Sequence, residues 1–228
     1  VEKLEGDVIG LQEVFSIEKT QAFFSTIGYP YFATVDTPHV EDEYIYSSPV
    51  VAIASRFPIE KVQAVEFDLA TLEPFGVNVA PEFSRKPIYA QVIHPVLGHI
   101  AVYVTHLKSQ RPADSEQPET SSTIIGRWLS TQQRGWEAAM LRDAMQKRYR
   151  KEPMPTVLMG DMNQPITPIS VNSALVSNTG DSVTELQLND GWELQVTPSL
   201  ESRSATHYHF AKGNVLDYIL LSQEFDAH

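Results

Sequence analysis

A short apolar run that ends in glycine and then two polar side chains two residues apart constrains this chain more than any other stretch. It reads Val157-Leu-Met-Gly-Asp-Met-Asn-Gln164. Val157, Leu158 and Met159 suit a buried strand, and Pro153 and Pro155 bar a preceding helix from running into it. Gly160 marks the strand end. If the backbone stays extended, Asp161 and Asn163 share a face, and a carboxylate and an amide project together just past the core. The same two residues would equally suit a helix N-cap or an Asx turn, because their side chains bond readily to nearby backbone N–H groups. What else the chain carries decides which reading has consequences.

The 228 residues suffice for one large domain, and no linker rich in Pro, Gly or Ser divides them. There are 29 acidic residues against 17 Lys and Arg, a formal charge of −12. That balance excludes a broad basic surface of the kind that clamps a duplex through many phosphates. With no cysteine, neither a disulfide framework nor a thiolate metal site can form. Cytoplasm, periplasm and export all stay open. No apolar run approaches the ~20 residues of a membrane-spanning helix, and a monomer is the expected state.

Strand and helix signals alternate along the chain. Val8, Ile9 and Leu11 form a short β-rich run with Glu13 at its C-terminal end, where open α/β architectures gather ligands; the alternative is a solvated strand-end glutamate. Ser16 to Gly28 reads as a short amphipathic helix with Phe23, Phe24 and Ile27 on one side, and Asp36 to Glu43 as a solvated loop. Val50 to Ala54 reads as a central strand leaving its sheet at Pro58, with 62–69 as its neighbour. Residues 83–92 and 98–109 make a hairpin of buried strands turning at Pro95 to Gly98. Residues 111–122 form a surface loop, and Ile124 to Arg150 a helix that buries Leu129, Trp136, Met140 and Ala144. Pro165 to Asn189 is irregular with one short helix, and Trp192 packs near the core.

Three further residues have side chains suited to phosphate chemistry. Arg85 sits where the first hairpin strand begins, and a guanidinium matches phosphate oxygens bidentately, although an arginine beside a loop is often simply solvated. His106 ends the second hairpin strand, where an imidazole can donate to a phosphoryl oxygen, move a proton, or merely bond to backbone. Asp217 opens the apolar strand Leu216-Asp-Tyr-Ile-Leu-Leu-Ser222, so its carboxylate needs a partner to offset burial. His207 and His209, an i,i+2 pair without neighbouring acids or cysteines, make a poor metal site. His39, His94 and His99 fall in loops or turns with no ligand spacing and are read as surface residues.

Ile9-Gly-Leu-Gln-Glu-Val14, Thr105-His-Leu-Lys-Ser109, Gly160-Asp-Met-Asn-Gln164 and Leu216-Asp-Tyr-Ile-Leu-Leu-Ser222 occur in this order. Together they resemble the endonuclease/exonuclease/phosphatase superfamily, in its deoxyribonuclease-I-like form, over nearly the whole chain. The resemblance implies an α/β four-layer sandwich of two mostly antiparallel β-sheets flanked by helices. It implies Mg²⁺, with Mn²⁺ or Ca²⁺ as alternatives, held by Glu13. It assigns His106 to the scissile phosphate, Asp161 to the attacking water and Asn163 to steadying the phosphate. Asp217 would pair with a catalytic histidine, and Arg85, in Phe-Ser-Arg-Lys-Pro, resembles a phosphate-binding arginine.

Two departures accompany the match. The family's upstream Asn strand and its terminal Ser-Asp-His are not found, so the chain reads as one domain, residues 1–228, clipped at both ends, and His228 is not the missing histidine. Asp217 should then face a gap, water or a substitute donor. The function implied is a metal-dependent phosphodiester hydrolase, first of all a nuclease acting on nucleic acid. Alternatives are an inositol-phosphate phosphatase, a sphingomyelinase-like phospholipid diesterase, or a binding module with a decayed site.

Overall fold

The computed structural model describes residues 5–42, 45–66, 68–77, 82–115, 122–176, 185–194 and 203–227. In chain order its strands are β1 (Val8–Val14), β2 (Tyr31–Ala33), β3 (His39–Val40), β4 (Tyr46–Ser48), β5 (Val50–Ser55), β6 (Ile59–Ala64), β7 (Ile88–His94), β8 (Gly98–His106), β9 (Thr156–Asp161), β10 (Leu188–Asp190), β11 (His207–His209), β12 (Lys212–Asn214) and β13 (Asp217–Ser222). The α-helices are α1 (Ile17–Thr26) and α2 (Thr123–Lys151). A six-stranded sheet runs β10-β13-β9-β8-β7-β6, and a three-stranded sheet runs β1-β5-β2. Every pairing within them is antiparallel except β8 with β9.

The two sheets pack face to face because alternate residues of their strands are apolar on the inner side. Val51 and Ile53 of β5 meet Ile88, Ala90 and Val92 of β7 and Ile100, Val102 and Val104 of β8. The opposite face of the larger sheet, with Tyr89, Tyr103, Leu158 and Leu220, is covered by α2 through Leu141 and Met145. Helix α1 covers the outer face of the smaller sheet, where Phe24 packs edge-on against Tyr29 and touches Ala54. The result is the expected four-layer sandwich. Gly10 sets how closely the sheets approach, since a Cβ there would lie 2.7 Å from Cγ of Met159.

Each helix has local causes. The Ser122 hydroxyl accepts the Ile125 N–H at the start of α2, and Arg148, Arg150 and Lys151 occupy its last turn before the prolines at 153 and 155. Helix α1 stops at Gly28, whose φ of 90° suits glycine. The β7–β8 hairpin turns as read from the sequence. His94 is a working part of that turn, its Nδ1 accepting the N–H groups of Val96 and Leu97.

Several expectations are corrected. Strand β6 is not the neighbour of β5; it pairs with β7 at the edge of the larger sheet, and its exposed Glu60, Lys61 and Gln63 are what an edge position tolerates. Phe23 is 55% exposed, leaving Phe24 as the buried residue of α1. Met140 is buried as expected, and Trp136 and Ala144 are partly buried, but Leu129 is 49% exposed, and α2 also buries Gly126, Ser130, Arg134, Glu137, Leu141 and Met145. The acidic loop carries the short β3 strand, and β10 lies in the segment read as irregular. The short helix there is a 3-10 turn over Val171–Val176. Trp192 is half-buried. Residues 116–121 of the loop before α2, 177–184 and His228 lie outside the described residues.

Candidate active site

Strand register brings the site together. His106 of β8 lies opposite Asp161 of β9, and Asp161 lies opposite Asp217 of β13. Counting back by twos from His106 and Asp161 reaches Val104 and Met159, which pack between the sheets, so these two side chains extend the inner face beyond the core, and Asp217 borders the cavity that Met159 also lines. The distance from His106 Nε2 to Asp161 Oδ2 is 3.7 Å, too long for a hydrogen bond. His106 is 4% exposed, and its Nδ1 finds no partner. Burial first, and the Arg85 charge second, lower its pKa to about 4, so the ring is neutral at physiological pH.

Asp161 responds to the same surroundings in the opposite sense. Burial, opposed by the Asn163 N–H that it accepts and reinforced by the neighbouring Asp217 carboxylate, raises its pKa to about 6. His207 and Arg85 act against that rise. Asp217 itself has its N–H bonded to Thr206 Oγ1, while its carboxylate has no hydrogen bond or ion pair among the described residues. It borders a cavity of about 770 Å³ between β1 and β13, together with Gln12, Gly160 and Tyr218.

The chain does not stay extended after Asp161. Asn163 has a φ of 53°, and its N–H donates to Asp161 Oδ1 at 2.7 Å, which makes the segment an Asx turn. The common face expected for the two residues is therefore replaced by a turn that carries Asn163 toward β8. There its Nδ2 donates to the Leu107 carbonyl at 2.8 Å, the same oxygen that Arg85 reaches at 3.5 Å. Asn163 and Arg85 thus meet one residue beyond His106.

Glu13 arrives from the other sheet. Its alternation with Leu11 would point it at α1, but the β1–β5 register shifts between Leu11 and Val14, and Glu13 takes a φ of 54°. A bulge of this kind re-aims a side chain. Glu13 ends up exposed and close enough to Arg85 to act on its charge, as does Asp161. All six residues singled out from the sequence therefore belong to one end of the sandwich, although 204 positions separate Glu13 from Asp217.

The sequence profile of the endonuclease/exonuclease/phosphatase family matches residues 1–228. The chain belongs to that family. Solved structures of similar shape include the human Nocturnin catalytic domain with bound sulfate, 19% identical over 97% of this chain and 71% of that one, TM-score 0.60. An AP endonuclease from Archaeoglobus fulgidus is 17% identical over 99% and 80%, TM-score 0.58. The 3' phosphatase NExo from Neisseria, bound to product DNA hairpin, is 18% identical over 97% and 78%, TM-score 0.52. At these identities the likeness concerns the fold. Among curated protein sequences none is significantly similar to this chain.

Endonuclease/exonuclease/phosphatase enzymes generally use divalent metals, and the donors here can be tested against one. The described residues hold no group of three or more His, Cys, Asp or Glu that could enclose an ion. Glu13, Asp161 and Asp217 are carboxylates, and none of them is in a direct Lys or Arg ion pair among the described residues. Such a set suits a hard ion that keeps most of its water and is completed by substrate phosphate, as Mg²⁺ is, and does not suit an all-protein cage.

Two residues of α2 escaped the sequence reading. Arg134, 3% exposed, donates to the carbonyls of Lys108 and Ser109 and to Gln164 Oε1. Glu137, 1% exposed, accepts the Lys108 and Ser84 N–H groups. The available signal was two opposite charges three positions apart on the small-residue face that also holds Gly126 and Ser130.

Proposed function

We propose that this end of the sandwich hydrolyses a phosphodiester with a divalent cation, and that the substrate is nucleic acid. The observation that supports the reading is the row His106–Asp161–Asp217 across three neighbouring strands, faced by Glu13, Arg85 and Asn163. A phosphodiester needs its developing negative charge neutralised, a base for the attacking water, and donors for the non-bridging oxygens. Mg²⁺ held by Glu13 would supply the first of these.

The chain's own groups would divide the rest. Asp161, ionised above its raised pKa of about 6, orients or deprotonates water. Asn163 Nδ2 and the Arg85 guanidinium, already aimed at one spot beside Leu107, turn to phosphate oxygens. His106, neutral over the working range, acts as a hydrogen-bond donor to phosphate and not as a proton source. Asp217 lies opposite Asp161, where its carboxylate would orient a catalytic imidazole.

Purified protein incubated with Mg²⁺ and plasmid DNA, bis-p-nitrophenyl phosphate, inositol phosphates or sphingomyelin vesicles tests this reading. DNA cleavage that stops with EDTA is expected. Cleavage of only the inositol phosphates or sphingomyelin would replace the nuclease assignment with the corresponding phosphatase or phospholipid diesterase. Saturable binding of these ligands without turnover would mark a binding module.

A further inference from the structure

Glu137 is the only buried acid among the described residues, and it lies on a helix that contributes no side chain to the row at the strand ends. Its Oε1 accepts the Ser84 N–H at 2.7 Å, the Ser84 hydroxyl, and Gln133 Nε2 at 3.2 Å; its Oε2 accepts the Lys108 N–H at 2.6 Å. Ser84 immediately precedes Arg85, and Lys108 follows His106 by two residues. One carboxylate thus ties the segment that carries Arg85 to the segment that leaves β8.

A glutamine could accept the Ser84 donors but would set its NH2 against the Lys108 N–H, so only a carboxylate accepts from both segments at once. The charge matters to Arg85. That guanidinium is partly buried, makes only a long 3.5 Å contact with the Leu107 carbonyl, and is in no direct ion pair among the described residues. Glu137 is the strongest of the acids that offset its burial, ahead of Glu13 and Asp161. With Glu137 neutral, the remaining attraction on Arg85 would come from Glu13 and Asp161, and a direct pair with either would occupy the groups meant for cation and phosphate. Arg134 adds a second tie to the same exit segment through Lys108 and Ser109.

We propose that Glu137 is a positioning residue of the phosphodiester site: it anchors the Arg85 segment to the exit of β8 and holds the guanidinium back from Glu13 and Asp161, so that Arg85 is available to phosphate. The inference rests on the hydrolase reading for its activity arm and on the geometry of this chain for its binding arm. Because Glu137 acts through Arg85, its effect must vanish when Arg85 is absent.

The test is a double-mutant cycle of Glu137→Gln and Arg85→Gln, read by kcat and KM on the cleaved diester and by inorganic phosphate affinity from calorimetry. Glu137→Gln alone should lower phosphate affinity and kcat/KM by roughly tenfold or more, and should add less than about twofold in the Arg85→Gln background. Leu141→Val, on the same helix and outside the hydrogen bonds to both segments, should leave kcat and phosphate affinity at the wild-type values while lowering Tm. Additive losses from the two glutamine variants would overturn the proposal, as would wild-type phosphate affinity in Glu137→Gln. If the wild type cleaves no diester, the hydrolase reading fails, and the phosphate-affinity cycle still decides the role of Glu137.

Discussion

His106 and Asp161 titrate in opposite senses, and that gives the metal-free site a pH signature. The native His106 pKa of about 4 lies below its ordinary 6.5. As pH falls through the ordinary value, the unfolded chain takes up a proton that the native ring refuses, so stability is lost between about 6.5 and 4. Asp161 behaves conversely: its native pKa of about 6 lies above the ordinary 3.8, so its contribution favours the native state below that window and is lost as pH rises through about 6. Each effect amounts to about 1–2 kcal/mol at pH ~5, and they oppose each other. In EDTA, urea unfolding at pH ~7 and ~5 should therefore show His106→Asn losing less stability on acidification than wild type, and Asp161→Asn losing more. Equal pH slopes in all three proteins would contradict a buried, neutral His106. Rates in the same variants carry a second expectation. Asn163→Ala should lower turnover by about 10²–10³-fold, because it removes a donor to developing charge, and it should cost about 1 kcal/mol of stability, because alanine is disfavoured at the φ of 53° that Asn163 adopts.

At the scale of elements, β9 and α2 show what a sequence can and cannot disclose. The apolar run of β9, its glycine and its polar tip were legible because a buried strand leaves a continuous composition signal. Gly160 has a φ of 146°, and a Cβ there would lie 1.9 Å from the Thr105 carbonyl oxygen, so β8 and β9 approach closely only at glycine. Gly160→Ala should cost about 3 kcal/mol or more, measured by denaturant unfolding; a loss below about 1 kcal/mol would mean that the backbone there relaxes freely. The face of α2 was legible only in part: Met140 is buried as its spacing suggested, but apolar periodicity cannot anticipate a buried Arg134 and Glu137 whose partners lie far away in sequence. Leu141→Ala should accordingly cost about 2–5 kcal/mol, whereas Leu129→Ala, on the stripe that the periodicity favoured, should stay within about 0.5 kcal/mol. The aim of Glu13 was hidden for a related reason: a bulge reverses alternation, and nothing local in Gln-Glu-Val announces one. Strand pairing partners, as with β6, are likewise a long-range property.

The charge of the whole molecule bears on how it would grip a polyanion. Of the 17 Lys and Arg residues, at least six are in ion pairs with acids among the described residues: Arg56, Lys61, Lys86, Lys147, Arg150 and Arg203. Arg134 and Arg142 are turned inward to backbone carbonyls, and Arg148 stacks on Tyr89 and bonds Gln63. With 29 acids opposing the cations that remain, the net charge of −12 disfavours long-range attraction to nucleic acid, and on the proposed reading binding would come from Arg85, its immediate surroundings and a bridging cation. Counterion release then scales with about two phosphates, which gives a slope of log K against log[salt] near −2. The affinity of inactive Asp161→Asn protein for a short duplex, measured by fluorescence anisotropy, should fall only about tenfold between ~50 and ~200 mM KCl. A slope of about −5 or steeper would reveal a basic surface that the described residues do not show, and would move the basis of recognition from the site to the remainder of the molecule. A shallow slope would place it in the contacts around Arg85, which is where Glu137 and Arg134 hold the loops together.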